Sequence, residues 1–228
     1  MTRLRVLTYN ILLGGAQRPV PDVVRAIAPD VLLVNETPKT PLRWRRDCRR
    51  LAGRCGLRYV EGGRNAGSNL VAVREGIGAK WSSAQRLPQP AWQPRRGVVV
   101  AQLRVEGRLV GVVGCHLSLA RDRRPTEVRR VLDAAAALRG PVVLAGDLNE
   151  PPDGPSWRLL RAAGFVDHGS GREAGDWLTY PADQPRKRID ALLVKGDVGV
   201  VHVGDPGVDV ALLAEASDHR PVLGVIEL

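Results

Sequence analysis

Cysteine is scarce in this chain, which has only Cys48, Cys55 and Cys115 among its 228 residues. Small exported domains pair their cysteines into a disulfide framework, and structural zinc sites use closely spaced cysteine and histidine ligands. Three cysteines form an odd count, and their spacing matches neither pattern. We therefore exclude a disulfide scaffold and a zinc site, and we expect reduced thiols.

Long hydrophobic runs are also missing. No stretch approaches the roughly 18 apolar residues that a membrane-spanning helix requires. The N-terminus, from Met1 to Val6, passes directly into a strand pattern and lacks the apolar core and cleavage site of a secretory signal. The sequence predicts a protein without a transmembrane segment that stays in the cytoplasm.

Lysine provides only four of the 34 basic residues, which exceed the 24 acidic residues and give a net charge of +10. Such a balance favours a polyanionic partner, either nucleic acid or an anionic lipid surface. An arginine-rich composition is also what a GC-rich genome imposes on any protein. The charge alone therefore does not identify the partner.

Hydrophobic patterning predicts a mixed α/β fold. With 44% hydrophobic and 25% charged residues, the composition is that of a globular protein with a real core. Apolar strand patterns alternate with amphipathic helices, and Glu106-Gly107-Arg108 predicts a hairpin. The predicted strands are residues 3–9, 31–35, 57–61, 69–74, 98–105, 109–116, 142–147, 188–194, 199–203 and 220–227. The predicted helices are about 20–28, 41–54, 125–138 and 155–163, and the proline-rich segment 85–96 is predicted as a loop.

Crossovers and hairpins occur together in this order of elements. They indicate two mixed sheets that pack face to face with helices outside. At this length the sequence predicts one domain over residues 1–228, and we expect a monomer. The chemistry would lie where the strand ends converge.

The most informative segment is 142–149, an apolar strand that ends in Asp147 and Asn149. Side chains two residues apart in a strand point to the same face, so both would reach the rim of the core together. Alone, the segment could equally be a strand that runs into a turn. Four other apolar segments end in the same way, in Tyr9-Asn10, Asn35-Glu36, Cys115-His116 and Ser217-Asp218-His219. Five polar ends on five apolar segments indicate a catalytic site.

Six short motifs in order resemble the endonuclease/exonuclease/phosphatase superfamily, which includes DNase I-like nucleases, neutral sphingomyelinases and inositol polyphosphate phosphatases. They are Leu-Thr-Tyr-Asn10, Val-Asn-Glu36, Cys-His116-Leu, Gly-Asp147-Leu-Asn149, Arg188-Ile-Asp190 and Ser-Asp218-His219-Arg-Pro, and they extend from Leu7 to Pro221. The resemblance implies a DNase I-like four-layer α/β/β/α sandwich, which agrees with the two mixed sheets expected above. It also implies a metal-dependent phosphoric ester hydrolase.

Oxygen ligands at the strand ends suit a hard cation. Glu36 and Asn10 would favour Mg²⁺, with Mn²⁺ as an alternative. The resemblance implies that Glu36 holds the metal and that Asn10 assists, while Asp218 either leans toward the metal or takes part in catalysis. The family's usual glutamine before the glutamate is Asn35 here.

The resemblance also implies a set of catalytic residues: His116, Asp147, Asn149, Asp190, Asp218 and His219. Asp147, with Asn149 beside it, would orient or deprotonate the attacking water. Its role as a literal general base stays open because a carboxylate near a metal is weakly basic. His219 would act on the water or the phosphate with Asp190 as its buttress, and His116 would donate to a non-bridging oxygen.

Substrate contacts are predicted from the motifs and from the residues between them. They are Asn69, Arg96, Arg124, Trp177 and Thr179, since arginine grips phosphate and aromatic rings stack on bases or sugars. His168 and His202 stand outside every motif and are predicted to have no catalytic role.

The predicted function is Mg²⁺-dependent, nuclease-like hydrolysis of phosphodiester bonds. Water would attack directly, because no serine or cysteine nucleophile stands beside a base in the sequence. The partner would be a phosphate-ester substrate, either nucleic acid or a small phosphorylated molecule. The alternative is a phosphatase or phospholipase C-type hydrolase of a small phosphorylated molecule, an inositol phosphate or a sphingolipid, because the short chain lacks the insertions by which nucleases enter a DNA groove. Glu36, Asp147 and His219 are all present, which disfavours a non-catalytic binding module.

Overall fold

The computed structural model of this chain describes residues 2–14, 18–169 and 177–228. Its strands are β1 (Arg3–Asn10), β2 (Val31–Asn35), β3 (Arg58–Gly63), β4 (Asn69–Val73), β5 (Gly78–Leu87), β6 (Arg96–Val105), β7 (Arg108–His116), β8 (Val142–Asp147), β9 (Asp190–Lys195), β10 (Gly199–Gly204) and β11 (Val222–Glu227). Its α-helices are α1 (Val20–Ile27), α2 (Trp44–Arg54), α3 (Arg124–Ala135), α4 (Pro155–Ala162) and α5 (Val210–Ala216). No described helix has the length and apolar character needed to cross a membrane.

The strands form two mixed sheets. The first has the order β10-β11-β1-β2-β4-β3 and the second the order β5-β6-β7-β8-β9. Each sheet contains one parallel pair, β1 with β2 and β7 with β8, and a helix lies between the two strands of each pair in the sequence. The remaining neighbours are antiparallel. Crossovers and hairpins therefore coexist in both sheets, as the sequence predicts.

Three hydrophobic cores define the layers. The central core joins the inner faces of the two sheets. A second core lies between the first sheet and α1, α2 and α5, and a third lies between the second sheet and α3 and α4. The predicted four-layer α/β/β/α sandwich is confirmed.

Alternation of side chains along the strands produces this layering. In β1, Leu4 and Val6 enter the central core, whereas Leu7 and Tyr9 face the helices of the first sheet. Both faces of the strand are therefore apolar, which explains its continuous hydrophobic run. Burial of both faces fixes the register, because a shift by one residue would exchange every inward and outward side chain.

Two elements differ from the sequence prediction. Strand β5 ends at Leu87, so the beginning of the predicted loop 85–96 is strand and only residues 88–95 connect β5 to β6. β5 is an edge strand with mostly exposed side chains, and it therefore lacks the hydrophobic signal of a buried strand. Helix α5 was also not predicted; it has seven residues and is capped by the Asp209 side chain, which accepts a hydrogen bond from the Leu212 amide at 3.0 Å.

Candidate active site

Polar side chains occupy one end of the layer between the sheets. Each lies at the end of a strand, at a position whose side chain points inward like those of the core residues in the same strand. In β8, Val143 and Ala145 belong to the central core, and Asp147 is the next residue of the same parity. The same alternation assigns five further strand-end residues to this layer: Asn10, Asn35, Asn69, His116 and Asp190. Sequence spacing alone thus turns one end of an apolar core into a polar cluster.

Strand register then sets these residues side by side. His116 of β7 pairs with Asp147 of β8, and Asp147 pairs in turn with Asp190 of β9. In the other sheet, Asn10 of β1 pairs with Asn35 of β2. Because the two sheets pack face to face, the two rows meet across the central layer.

Asp147 is the centre of this cluster. Its Oδ2 atom accepts a hydrogen bond from Asn10 Nδ2 at 3.1 Å and lies 3.2 Å from His116 Nε2 and 3.9 Å from His219 Nε2. Its Oδ1 atom accepts the amide of Asn149 at 2.8 Å. Burial disfavours the charged form, but the two histidines and the amide outweigh burial and hold the pKa of Asp147 well below its usual range. Asp147 is therefore a buried, ionised carboxylate.

His219 is held by Asp190. Its Nδ1 atom lies 2.8 Å from Asp190 Oδ2, and the Tyr180 ring packs on the imidazole with the ring centroids 4.9 Å apart. Burial disfavours the imidazolium ion, but the carboxylates of Asp190, Asp147 and Asp218 raise the pKa of His219 to about 10. The Nδ1 proton is directed at Asp190, so Nε2 is the atom that His219 presents to the cluster.

His116 contacts the cluster through both ring nitrogens. Arg96 NH1 lies 3.4 Å from His116 Nδ1, and His116 Nε2 lies 3.2 Å from Asp147 Oδ2. Asn149 Nδ2 lies 3.2 Å from the same nitrogen and donates to the Leu117 carbonyl at 2.9 Å.

Asn35 connects the two sheets beneath these groups. Its Nδ2 atom donates to Asn69 Oδ1 at 2.9 Å and to the Cys115 carbonyl at 3.0 Å, and its Oδ1 atom accepts the Asp147 amide at 3.0 Å. In the sequence, Asn35 is part of a polar strand end and replaces the family's usual glutamine, and neither feature predicts this bridge. Its inward position in β2, two residues after the core residue Leu33, is the signal that could have identified it.

A cleft of about 910 Å³ opens over the cluster. Seven of the predicted catalytic and metal-binding residues line it: Asn10, Glu36, His116, Asp147, Asn149, Asp218 and His219. Its cationic lining residues are Arg96, Arg121, Arg186, Lys187 and Arg188. Its apolar lining residues are Leu119, Pro151, Pro152, Trp177, Leu178 and Ile189. Asp190 stands behind His219 and does not belong to this lining.

Glu36 and Asn149 have a left-handed backbone at the points where their strands end, with φ values of 58° and 50°. Asparagine tolerates this conformation, whereas for glutamate it costs on the order of 1 kcal/mol or more. Both residues line the cleft. The backbone of each turns sharply at the strand end, where the side chain meets the cleft.

The donor set on the first sheet fits a hard divalent cation. Glu36, Asp218 and Asn10 offer oxygen atoms in the cleft, and the cation that pairs with Glu36 is Arg96 at 3.9 Å. Among the described residues, Asp147, Asp190 and His219 also bring potential ligand atoms within 4.8 Å of one another. The 2.8 Å contact between His219 and Asp190 already uses one nitrogen and one oxygen of that group. The oxygen atoms of Glu36, Asn10 and Asp218 suit a hard divalent cation, and their role as its ligands stays a prediction.

The five predicted substrate contacts divide into two groups. Arg96 and Trp177 line the cleft. Asn69, Thr179 and Arg124 are buried and do not line it. They support neighbouring residues instead.

Hydrogen bonds and ion pairs define this supporting role. Asn69 Nδ2 donates to the Gly97 carbonyl at 2.6 Å, and Thr179 Oγ1 accepts the Asp190 amide at 3.3 Å. Arg124 Nε lies 3.3 Å from Glu150 Oε1, and the guanidinium donates to the Asn149 carbonyl. The two histidines predicted outside the site, His168 and His202, are absent from the described lining of the cleft.

Solved structures with the same fold cover the whole chain. An endonuclease/exonuclease/phosphatase from Bacteroides vulgatus matches with a TM-score of 0.80 and 18% identity over 100% of both chains. A mannosyl-6-phosphatase of Bacteroides thetaiotaomicron matches with a TM-score of 0.78 and 17% identity over 99% of this chain and 100% of that one. D. rerio TDP2 in complex with a single-strand DNA product matches with a TM-score of 0.75 and 17% identity over 100% of both chains. At these identities the likeness shows the fold.

The sequence itself determines the family. A search of the curated proteins gave no significant match. The model of the endonuclease/exonuclease/phosphatase family matches residues 7–219, nearly the whole chain and every motif that forms the cleft. The chain therefore belongs to the endonuclease/exonuclease/phosphatase family and is a phosphoester hydrolase.

Proposed function

We propose that the protein hydrolyses phosphodiester bonds with the help of a divalent cation, Mg²⁺ or Mn²⁺, by direct attack of water. The observation that carries this proposal is the ionised Asp147, buried between two histidines at the base of a cleft lined by oxygen ligands. An ionised carboxylate at that position can orient a water molecule, and the surrounding donors can stabilise charge on phosphate oxygens.

The metal would be held by Glu36, Asn10 and Asp218. When bound, it would neutralise negative charge on the phosphate and assist departure of the leaving oxygen. The oxygen donors of these residues are the support for this assignment. The substrate panel described below compares Mg²⁺ with Mn²⁺.

The protein's own residues divide the remaining tasks. Asp147 orients the water, and His219, protonated and fixed by Asp190, donates from Nε2 to a non-bridging oxygen. His116 donates from Nε2, and Arg96 adds a fixed positive charge behind it. Asn149, with its amide on Asp147 and its side chain beside His116, keeps these two groups in register.

Direct attack by water predicts a stereochemical outcome. A single in-line displacement inverts configuration at a chiral phosphorothioate, whereas a covalent intermediate would give retention through two displacements. The three cysteines are buried, and burial raises the pKa of the nearest thiol, Cys115, to about 12. That thiol is a poor nucleophile at neutral pH, which supports water as the attacking group.

Two substrate classes remain as proposals. The nuclease-like reading agrees with the cationic lining residues and with the single-strand DNA product bound to the TDP2 relative. The phospholipase C-type alternative is favoured by the apolar lining residues, among them Leu119, Leu178 and two prolines. Apolar side chains do not bind phosphates but would accommodate an alcohol or lipid portion of a diester.

A substrate panel tests this function. Protein treated with EDTA and then supplied with Mg²⁺ or Mn²⁺ is incubated with bis-p-nitrophenyl phosphate, p-nitrophenyl phosphate, plasmid DNA, single-stranded DNA and sphingomyelin. We expect metal-dependent hydrolysis of the diester in preference to the monoester. Glu36→Gln should raise the metal concentration required for half-maximal activity, whereas His202→Gln serves as a matched control outside the cleft.

The panel also separates the alternatives. A preference for the monoester would replace the diester proposal with a phosphatase, and cleavage of DNA at lower enzyme concentration than any lipid would favour the nuclease-like reading. Failure of every substrate with either metal would contradict the proposal.

A further inference from the structure

Large apolar side chains are exposed on loops at the catalytic end of the sandwich. Of the large hydrophobic residues exposed in the described ranges, the three with the highest exposed fractions are Leu42, which is fully exposed, Trp92 at 84% and Leu119 at 71%. All three lie on connections at the catalytic end of the sandwich. Leu42 follows β2, Trp92 precedes β6 and Leu119 follows β7.

Two contacts connect the three loops that carry these side chains. The Arg95 guanidinium lies 5.5 Å from the centre of the Trp44 ring, which ties the loop of Trp92 to the start of α2 beside Leu42. On the other side, Arg123 NH1 donates to Gln93 Oε1 at 3.0 Å, which ties the same loop to the one that carries Leu119. Leu119 also lines the cleft, so the connected loops reach the cleft mouth.

Cations surround the apolar tips. Lys39, Arg43, Arg95 and Arg121 are all exposed on the same three loops, and none has an ion-pair partner among the residues that the structure describes. Their positive charge is available to an external anionic surface. We call these four cations, together with Leu42, Trp92 and Leu119, the mouth face.

The two exposed leucines favour an anionic membrane over nucleic acid as the partner of this face. Nucleic acid offers phosphates and flat bases, to which arginine and tryptophan bind but against which an isolated, fully exposed leucine gains little. A membrane interface accepts tryptophan at headgroup depth and leucine below it, while anionic headgroups attract arginine and lysine. Leu42 also has a left-handed backbone, with φ of 63°, an uncommon conformation for a leucine that is wholly exposed to water.

We propose that the mouth face docks on an anionic phospholipid membrane and so brings the cleft mouth against the lipid headgroups. Apolar tips supply insertion and the ring of cations supplies attraction, the two contributions that reversible membrane binding combines. Because Leu119 and Arg121 belong both to the face and to the cleft lining, docking and access to the site are linked.

Vesicle sedimentation tests the docking. The full chain is mixed with vesicles of phosphatidylcholine alone or of phosphatidylcholine with phosphatidylglycerol, at low and at physiological salt. We expect binding to the anionic vesicles that weakens with salt, and about a tenfold loss of affinity when Leu42→Ser is combined with Trp92→Ala. Val166→Ser combined with Val210→Ser is the matched control, because these valines are 51% and 46% exposed and lie outside the mouth face.

A second assay measures hydrolysis of a soluble diester. This assay rests on the proposed function, whereas vesicle sedimentation does not, so the two proposals can fail separately. Leu42 and Trp92 do not line the cleft, so their double variant should hydrolyse bis-p-nitrophenyl phosphate at the unaltered rate. Saturating anionic vesicles should slow that reaction for the unaltered protein and leave the double variant unaffected. If the unaltered protein lacks diester activity, the proposed function fails, while sedimentation still decides the docking.

Three outcomes would overturn the docking. They are equal binding to neutral and anionic vesicles, unchanged vesicle binding in the double variant, and no vesicle binding at all by the folded chain. Tight binding of a single-stranded oligonucleotide that depends on Leu42 and Trp92, without vesicle binding, would assign the face to nucleic acid instead.

Discussion

The two ends of the layer between the sheets are built by the same strands and the same alternation, yet their chemistry is opposite. At one end, inward positions are occupied by residues such as Leu4, Leu103 and Val110, and the layer is hydrocarbon. At the other, the same parity carries Asn10, Asp147 and the other polar residues of the cluster. The difference shows that the fold sets where a side chain lies, whereas the residue type at that position determines whether it contributes to stability or to catalysis. Substitutions at the two ends should therefore separate activity from stability.

The largest expected effect is on catalysis at the polar end. Asp147→Asn keeps the shape of the side chain but removes the charge that lies between His116 and His219. We expect kcat for bis-p-nitrophenyl phosphate to fall about a thousandfold, which corresponds to about 4 kcal/mol, with little change in KM. Steady-state kinetics measure the loss, and near-ultraviolet circular dichroism verifies that the variant is folded. A loss of less than about tenfold would remove Asp147 from the chemistry.

The apolar end should show the opposite behaviour. Leu103→Ala deletes a fully buried side chain from the central core and should lower the free energy of unfolding by about 3 kcal/mol. The cleft lies at the far end of β6, so kcat/KM should stay within about twofold of the unaltered protein at a temperature where the variant is folded. Urea titration and steady-state kinetics provide the two values. A large loss of activity without loss of stability would break the comparison.

Asn35 and Gln102 offer a matched pair of buried amides. Asn35→Leu leaves the Asp147 amide and the Cys115 carbonyl without their partner, whereas Gln102→Leu removes two hydrogen bonds to the backbone of Arg139, away from the cleft. Each should cost about 2 kcal/mol of stability. Only Asn35→Leu should also reduce kcat, by about tenfold, because it releases the backbone that aims Asp147. Equal activity in both variants would reduce Asn35 to a structural residue.

His219 should also make stability depend on pH. The folded protein keeps the His219 proton up to a pKa of about 10, while the unfolded chain releases it near 6.5, so the folded state binds more protons between these values. The contribution is therefore complete below pH 6.5, and stability falls as pH rises, by up to about 1.4 kcal/mol per pH unit. Urea titrations of EDTA-treated protein from about pH 6.5 to 7.5 measure the slope before the thiols of the unfolded chain begin to lose their protons. Asp190→Asn should flatten it, and an unchanged slope would assign it to another group.

Much of the fold and of the cluster could be predicted from the sequence because both depend on alternation along strands. In β1, the alternation already predicts that Leu7 and Tyr9 share one apolar face and that Asn10 ends the strand at the polar rim. β5 could not be predicted, since an edge strand with exposed side chains has no period of burial to detect.

The roles of supporting residues depend on contacts between distant segments, which no local pattern encodes. Arg124 follows a motif and resembles a phosphate ligand in sequence, but it is buried against Glu150. The Asn35 bridge arises only when β2 of the first sheet packs against β7 and β8 of the second. Such residues become visible when the two sheets are seen together.

Metal-dependent turnover at the polar end is the most direct test of the account. Protein freed of metal with EDTA is assayed on bis-p-nitrophenyl phosphate before and after addition of Mg²⁺ or Mn²⁺, with Asp147→Asn measured in parallel. The account predicts hydrolysis that appears on addition of the metal and is about a thousandfold slower in the variant. Equal rates in the two proteins, or full activity in EDTA, would contradict it.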